Sequence, residues 1–188
     1  MSADEQLIPS NPKRVEWDRI TAIMAVLIGA CALAVSFYTA KLQSAQVRAQ
    51  TWPYLQMWQS NVDRSFSISN RGVGPARIAD VKLWIDDDEV ANFDQAIIKL
   101  SKQSGPMSTM QSYFARRVLT SNEDVKIIQF ETDEQFNIFY KNRKRIAFQI
   151  CYCSVLDECY LLDERAKSEQ EYISSVSKCP IGRAGKFR

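Results

Sequence analysis

The chain has 188 residues, a formal net charge of +2, five cysteines and no histidine. The absence of histidine excludes His-dependent catalytic triads, histidine metal ligands and imidazole acid–base chemistry, which removes most hydrolase schemes. A net charge this small, with few aromatic residues among the basic ones, does not favour a nucleic-acid-binding protein.

The amino-terminal part contains one long apolar run, over residues 20–40, that has no charged side chain. At ~1.5 Å per helical residue the run spans roughly 31 Å, the thickness of the hydrocarbon core of a bilayer. Trp17 precedes it and Phe37 and Tyr38 stand near its end, where amphipathic rings prefer the headgroup level. We predict a transmembrane helix over residues 20–40, preceded by a disordered tail over residues 1–19.

Two other interpretations of this run stay open. A cleaved signal peptide has a shorter apolar stretch and ends at small residues spaced A-x-A, whereas this run ends in Phe-Tyr-Thr-Ala. Residues 28–31, which end in Cys31, resemble the box at which bacterial lipoproteins are cut and acylated, but residues 1–7 hold no Lys or Arg and residues 32–40 stay apolar. The simpler interpretation is that Cys31 packs as a small apolar residue in the membrane.

Small residues recur along the predicted helix at spacings of three and four, which places them on one stripe. They are Ala22, Ala25, Gly29, Ala32 and Ser36. Such a stripe lets a second transmembrane helix approach closely, so we expect self-association or packing against another membrane protein. Simple alanine richness is the alternative explanation.

Basic residues near the two helix ends indicate the orientation. Lys13, Arg14 and Arg19 precede the helix, whereas Lys41 and Arg48 follow it, which favours a cytoplasmic amino terminus. Four cysteines lie in the carboxy-terminal part, an even number suited to disulfides in an oxidising compartment. We predict a single-pass protein of the bacterial inner (plasma) membrane with a periplasmic or extracellular domain. The alternative is a cytoplasmic domain with reduced cysteines.

Residues 41–52 lack Gly and Pro up to Thr51 and are rich in Gln and Ala, which predicts a helical stalk that Pro53 stops. Residues 53–165 are expected to form one compact domain, and residues 166–188 a carboxy-terminal tail.

Alternating polar and apolar residues within this domain predict half-buried strands. The alternation is clearest at residues 65–69, 80–85 and 146–152, with further strand candidates at residues 54–58, 113–119, 125–130 and 160–162. Two short helices are predicted, one over residues 92–102 and one beginning at Thr132, which forms a capping box with Gln135. The pattern is typical of a mainly β protein, and we predict an antiparallel β-sandwich of the immunoglobulin-like type.

A glycine-rich turn, residues 70–76, joins two of these strands. Asn70, Gly72, Gly74 and Pro75 are its characteristic residues. The glycines can adopt positive φ and the proline fixes its own φ, which suits a turn or bulge that redirects the chain. The turn lacks the Gly-Lys-Ser/Thr ending and the following helix of a phosphate-binding loop, so it does not predict nucleotide binding.

Two charged runs invite functional interpretations. The acidic residues 86–89 could bind calcium, but a solvated turn before a helix explains them equally simply. The basic residues 141–145 could attract anionic lipid or nucleic acid, but an exposed turn is the more ordinary interpretation.

The cysteines are the most specific local chemistry of the chain. Cys151 and Cys153 share one face of a strand, and Cys153 and Cys159 bracket a span compatible with a tight hairpin. We therefore expect a Cys153–Cys159 disulfide and a Cys151–Cys179 disulfide that tethers the tail. Free thiols and a zinc site remain alternatives, although C-x2-C spacing is absent and strand residues i and i+2 make a poor chelating pair.

Several of these motifs together resemble a loose group of uncharacterised bacterial single-pass membrane proteins. The motifs are the anchor helix, Trp52-Pro53-Tyr54-Leu55, the Asn-x-Gly-x-Gly-Pro-Ala turn, and Cys151-Tyr152-Cys153-Ser154 with Cys159-Tyr160. The similarity extends over most of residues 20–162, but its motifs are structural. The resemblance implies no activity and assigns no catalytic or binding residue.

The sequence thus predicts a protein that acts by interaction, not an enzyme, with no cofactor and no metal. Our leading hypothesis is an accessory or sensing subunit of an envelope complex, with the lipid bilayer and a protein partner as its contacts. A cytoplasmic-facing binding domain and a lipoprotein-like module that binds a small ligand are the alternatives.

Overall fold

A computed structural model of the protein describes residues 12–101 and 108–179, with side chains from residue 17 onward. The chain divides into two compact units between Val47 and Arg48. Helix α1, Pro12–Gln50, accounts for the described part of the first unit and ends just inside the second. The prediction of a disordered tail is wrong for residues 12–19, because proline is well accommodated in a first helical turn and no glycine interrupts the residues that follow. Residues 1–11 lie outside the described part.

Helix α1 contains a segment, Trp17–Gln50, that is long and apolar enough to cross a membrane. Its large apolar side chains are exposed. The hydroxyl groups at positions 21, 36 and 39 each donate to a backbone carbonyl of the preceding turn, at 2.8–2.9 Å. Internal hydrogen bonds of this kind leave these polar groups without need of water.

The second unit is built from strands and short helices. In chain order they are β1 Leu55–Ser60, β2 Ser65–Asn70, β3 Ala76–Ile85, β4 Asp88–Val90, α2 Phe93–Ser101, β5 Thr109–Gln111, β6 Val118–Leu119, β7 Asp124–Phe130, α3 Asp133–Lys141, β8 Ile146–Cys153, β9 Cys159–Asp163, α4 Glu169–Tyr172 and β10 Ile173–Val176. A single 3-10 turn, Arg143–Arg145, separates α3 from β8.

These strands form two sheets whose described pairings are all antiparallel. The first sheet has the order β1-β2-β7-β5, and the second has the order β10-β9-β8-β3-β4, with β6 added on β3. Buried side chains of both sheets, such as Phe66 and Ile68 from the first and Leu83 and Ile150 from the second, belong to one apolar core. The predicted antiparallel sheets are confirmed, and two sheets around a shared core indicate a sandwich.

Aromatic side chains attach the helices to this core. On α3, Phe136 and Phe139 lie 5.9 and 6.2 Å, ring centre to ring centre, from Phe66 of β2. On α2, Phe93 lies 6.3 Å from Phe148 of β8. Both helices present apolar residues at helical spacing, which is why the sequence predicts them.

The start of α3 shows half of the predicted capping box. The Thr132 hydroxyl accepts a hydrogen bond from the backbone N–H of Gln135 at 3.3 Å. The Gln135 side-chain oxygen is buried and has no hydrogen-bond partner among the described residues, so the reciprocal bond of the box is not formed.

Two sequence expectations need correction. The predicted strand over residues 113–119 is reduced to Val118–Leu119, with β5 placed earlier in the chain. The predicted tail over residues 166–188 begins too early, because Ile173–Val176 pairs with β9 along the edge of the second sheet. Two serines in this strand break the apolar alternation, so its membership in the sheet depends on its neighbour and not on a local pattern.

Candidate functional site

The four cysteines that follow the helix converge on the outer face of the second sheet. The sulfurs of Cys153 and Cys159 are at bonding distance, 2.09 Å, and those of Cys151 and Cys179 are 2.10 Å apart. These are the two pairs that the sequence analysis favours. Cys31, on α1, is an exposed free thiol.

Backbone pairing explains this convergence. The apolar row of β8, which includes Ile150 and Tyr152, faces the core, so Cys151 and Cys153 face the opposite way. Cys159 is the direct partner of Cys153 across the β8–β9 ladder. Each of the four cysteines is at most 7% exposed, and Leu161 and Val176 pack against the cluster.

The two sulfur pairs are close neighbours. Cys153 Sγ lies 3.7 Å from Cys179 Sγ, which belongs to the other pair. The sulfurs of Cys153, Cys159 and Cys179 all lie within 4.8 Å of one another. The arrangement is therefore one compact sulfur cluster, not two separate cross-links.

The glycine-rich turn is organised by the side chain of Asn70, which is fully buried. Its Oδ1 accepts from the backbone N–H groups of Tyr54 at 3.2 Å and Gly72 at 3.0 Å. Its Nδ2 donates to the carbonyls of Gly74 at 2.8 Å and Leu119 at 3.1 Å. One amide thus joins three segments: the residues that follow α1, the turn itself and the end of β6.

The two glycines of this turn are required for close approach. A Cβ at Gly72 would lie 2.4 Å from the carbonyl oxygen of Trp52, and one at Gly74 would lie 2.1 Å from that of Thr51. Neither glycine has φ in the left-handed region, so the reason given from sequence, positive φ, is wrong. The turn is a socket that encloses residues 51–54, and Pro75 leads from it directly into β3.

One ion pair joins the acidic run to the basic run, and another acidic residue pairs with a lysine outside it. Asp86 forms a two-fold contact with Arg145, at 2.9 and 2.8 Å, and this hydrogen bonding lowers the pKa of the Asp86 carboxyl below its ordinary value. Asp88 pairs with Lys99 at 2.6 Å. The acidic residues lie in the β3–β4 hairpin rather than before a helix, and their pairing favours the solvated-turn interpretation over calcium.

A second ion pair of the basic run is more deeply placed. Arg143 pairs with Glu164, whose side chain is only 8% exposed. The Glu164 carboxylate also accepts from the backbone N–H of Phe148 at 2.9 Å. This glutamate therefore fastens the 3-10 turn and the segment after β9 to β8, a structural role that local sequence does not reveal.

The outer face of the first sheet carries a row of serines that the alternation assigns to solvent. Ser65, Ser67 and Ser69 are instead fully buried. Trp58 Nε1 donates to Ser69 Oγ at 2.6 Å, and Ser69 donates in turn to Asp124. Among the described residues, the Oγ atoms of Ser65 and Ser67 have no hydrogen-bond partner.

The outer face of the second sheet carries an aromatic–cation contact. The guanidinium of Arg165 lies 4.1 Å from the centre of the Trp84 ring and also contacts Asp163. Burial raises the pKa of Asp163, but the hydrogen bonds from Arg165 and Gln149 outweigh it and hold that pKa below its ordinary value. The charges of Arg165 and Asp163 are thus paired with each other.

Two tyrosines, Tyr152 and Tyr172, lie near the backbone of strand β1, beside Leu55 and Met57 respectively. Burial raises the pKa of Tyr152, and it raises the pKa of Tyr172 to about 12. Both phenols therefore stay neutral at physiological pH, which fits packing in and against the apolar core rather than proton transfer.

One cleft, of about 400 Å³, lies between α2 and α3. Its lining residues are Leu100, Ser101, Glu134, Asn137, Ile138, Lys141 and Asn142. None of the residues singled out from the sequence as a disulfide, turn or helix-packing residue lines it.

The small-residue stripe lies along one continuous helix, and a Cβ added at Gly29 would meet nothing within 4 Å. The first unit therefore leaves room on this stripe for a second helix.

No family model, no curated protein and no solved structure matches this chain. The resemblance to bacterial single-pass membrane proteins stays a prediction. Two of its motifs, residues 52–55 and residues 70–76, are in direct contact through Asn70 and Tyr54.

Proposed function

We propose that this chain is anchored in the bacterial inner (plasma) membrane by α1 and exposes an immunoglobulin-like sandwich in the periplasm or outside the cell. In this proposal the domain acts by binding a protein, as an accessory or sensing subunit of an envelope complex, and not by catalysis. The observation that carries the proposal is the set of two cysteine pairs at bonding distance in a unit that follows one apolar helix.

The cysteine pairs support export because disulfides persist in oxidising compartments and are rare in the cytoplasm. The apolar helix supports anchoring because its length suits a bilayer and its hydroxyl groups are hydrogen-bonded within the helix. An exposed apolar helix surface is also unfavourable in water, so it is expected to be covered by lipid or by another helix.

The socket around residues 51–54 supports a role in which the first residues after α1 are held within the second unit. Hydrogen bonds from Gly74 N–H to the Trp52 carbonyl, at 3.2 Å, and from Arg71 N–H to the Tyr54 carbonyl, at 2.7 Å, fix this segment to the turn. A displacement of the chain at residue 51 would therefore be transmitted to β2 and β3. That property suits a subunit that senses or stabilises a membrane partner.

A binding role rather than a catalytic one is supported by the charged side chains. The carboxylates of Asp86, Asp88 and Glu164 each pair with a basic side chain of the same unit. Ionisable groups that satisfy one another are typical of a structural surface.

The location is tested by fusing two reporters after Arg188 of the full chain, one that is active only after export and one that is active only in the cytoplasm. The proposal predicts activity of the exported reporter. Activity of the cytoplasmic reporter alone would contradict it and favour the membrane-localised cytoplasmic domain.

The binding role is tested by crosslinking in intact cells, followed by mass spectrometry of the products. We expect a product that joins this chain to a second envelope protein, and loss of that product when Gly74→Ala disturbs the socket. A chain that crosslinks only within itself would contradict a role as a subunit.

A further inference from the structure

Two sulfurs of the cluster that are not bonded to each other are separated by about the distance found between two thiolate ligands of a zinc ion. Cys153 Sγ and Cys179 Sγ, which are not bonded to each other, stand 3.7 Å apart. In a tetrahedral zinc–thiolate site with Zn–S bonds of about 2.3 Å, sulfurs stand about 3.8 Å apart. Cys159 Sγ completes a group in which all distances are within 4.8 Å, and Cys151 is bonded to Cys179. Three of the four sulfurs therefore lie within 4.8 Å of one another, and the fourth, that of Cys151, is bonded to one of them.

We propose that, once its two disulfides are reduced, this four-cysteine cluster is a Zn²⁺ site. The inference goes beyond the proposed function, because it concerns the reduced state of a cluster that is disulfide-bonded in an oxidising compartment. It also revises the argument from sequence against zinc. The sequence analysis considered Cys151 and Cys153, which are two residues apart on one strand, as the chelating pair. In the structure it is the sulfurs of Cys153 and Cys179 whose separation, 3.7 Å, suits two ligands of one zinc ion.

Three elements hold the ligands, and two of them are fixed without any sulfur–sulfur bond. Cys151 and Cys153 lie on β8, and Cys159 lies opposite on β9, within a ladder of backbone hydrogen bonds that reduction does not break. Cys179 follows β10, which pairs with β9. After reduction the backbone therefore keeps Cys151, Cys153 and Cys159 on two paired strands, and Cys179 shortly after a strand that pairs with β9.

The surroundings suit a closed structural metal site. The cysteines are nearly inaccessible, and Leu161 and Val176 cover them, so water is excluded from the volume between the sulfurs. A site with four thiolates has no open position and is structural rather than catalytic. Arg77 is the partner of Cys153 on the other side of β8, and its guanidinium pairs with Asp157.

Two equivalents of a dithiol or a phosphine reduce the two disulfides and are themselves oxidised, to a disulfide or a phosphine oxide. Reduction delivers four electrons and four protons to the two disulfides and gives four thiols. Zn²⁺ then displaces four protons and leaves a four-thiolate centre with a net charge of −2. The cluster would thus be closed by two covalent bonds in an oxidising compartment and by one metal ion in a reducing one.

The test uses the full chain in detergent micelles, reduced by a phosphine without oxygen and titrated with Co²⁺ as a spectroscopic probe. We expect one Co²⁺ per chain, with thiolate-to-cobalt charge-transfer absorption and the visible bands of tetrahedral cobalt, displaced by Zn²⁺. The unreduced protein should show none of these bands. A reduced protein without the bands would overturn the proposal.

Variants and folding measurements make the result specific. Cys31→Ser should bind as the unchanged chain does, whereas Cys153→Ser and Cys179→Ser should weaken binding by on the order of 100-fold or more. Equal affinity in all three variants would overturn the proposal. If the reduced chain loses its β-sheet signal in circular dichroism, recovery on adding Zn²⁺ supports the site, and no recovery overturns it.

Discussion

The side chain of Asn70 accepts a hydrogen bond from the backbone N–H of Tyr54, at 3.2 Å, and so fastens the first residues after α1 to the turn between β2 and β3. The two residues are 16 positions apart in the chain. Asn70 is fully buried, and both the oxygen and the nitrogen of its side-chain amide form hydrogen bonds with backbone groups. Removing this side chain would therefore leave several backbone groups unpaired. Several predictions about stability rest on such fixed contacts.

Gly74→Ala should destabilise the domain by about 1–3 kcal/mol, because its Cβ would lie 2.1 Å from the carbonyl oxygen of Thr51. Chemical denaturation of the full chain in detergent measures the change. Val73→Ala, at a 62% exposed position of the same turn, is the control and should change stability by no more than about 0.5 kcal/mol. Equal effects of the two variants would mean that residues 51–54 are not enclosed by the turn.

Cys153→Ser and Cys159→Ser should each cost about 2 kcal/mol in the oxidised protein, because their bond closes a short loop, with a sequence separation of 6. The double substitution should cost no more than either single one, since the same bond is lost. Losses that add in thermal unfolding would show that the two cysteines are not partners.

Cys179→Ser should cost more, about 3.5 kcal/mol, because the Cys151–Cys179 bond has a sequence separation of 28 and restricts the unfolded chain more strongly. Denaturation of the oxidised variants under the same conditions gives the comparison. A smaller loss for Cys179→Ser than for Cys159→Ser would contradict the structural role of this bond.

Glu164→Gln should destabilise the domain by about 1.5–3 kcal/mol. The buried carboxylate accepts one hydrogen bond from Arg143 and one from the Phe148 N–H, whereas the amide of glutamine has only one oxygen that can accept and an NH2 group that can only donate. Asp86→Asn is the matched control, since it removes the charge from an exposed carboxylate that pairs with Arg145 of the same 3-10 turn. Its effect should be much smaller and should fade with added salt. The reverse order in denaturation experiments would argue against the Glu164 contacts.

Gly29→Leu should weaken self-association of the helix, because a large side chain would fill the small-residue stripe. Leu27→Ala, off that stripe, should leave association unchanged. A membrane two-hybrid assay compares the two variants. Equal effects of both substitutions, or no effect of either, would show that the small-residue stripe does not mediate self-association.

The sequence was most informative where structure depends on local alternation. Phe66 and Ile68, and likewise Leu83 and Ile85, face the core as the period of two predicts. The same pattern misassigned Ser67 and Ser69 to solvent, because burial of that face depends on Trp58 of the neighbouring strand. Alternation identifies the two faces of a strand but not what covers the second one.

The candidate sites show the same limit. The spacing of Cys153 and Cys159 is a local feature of one hairpin, so their pairing could be predicted from sequence. The 3.7 Å approach of Cys179 to Cys153 could not, because it depends on β10 pairing with β9. Likewise, the partners of Asn70 include Tyr54 and Leu119, which lie far from it in the chain and become neighbours only in the folded domain.

The central claim, an exported domain behind a membrane anchor, is tested most directly by mapping the thiols of the full chain in intact cells. Free thiols are alkylated before lysis with a membrane-permeant reagent, and the protein is then digested without reduction and analysed by mass spectrometry. We predict a Cys153–Cys159 link, a Cys151–Cys179 link and alkylation of Cys31 alone. Alkylation of Cys151, Cys153, Cys159 and Cys179 without prior reduction would contradict the account.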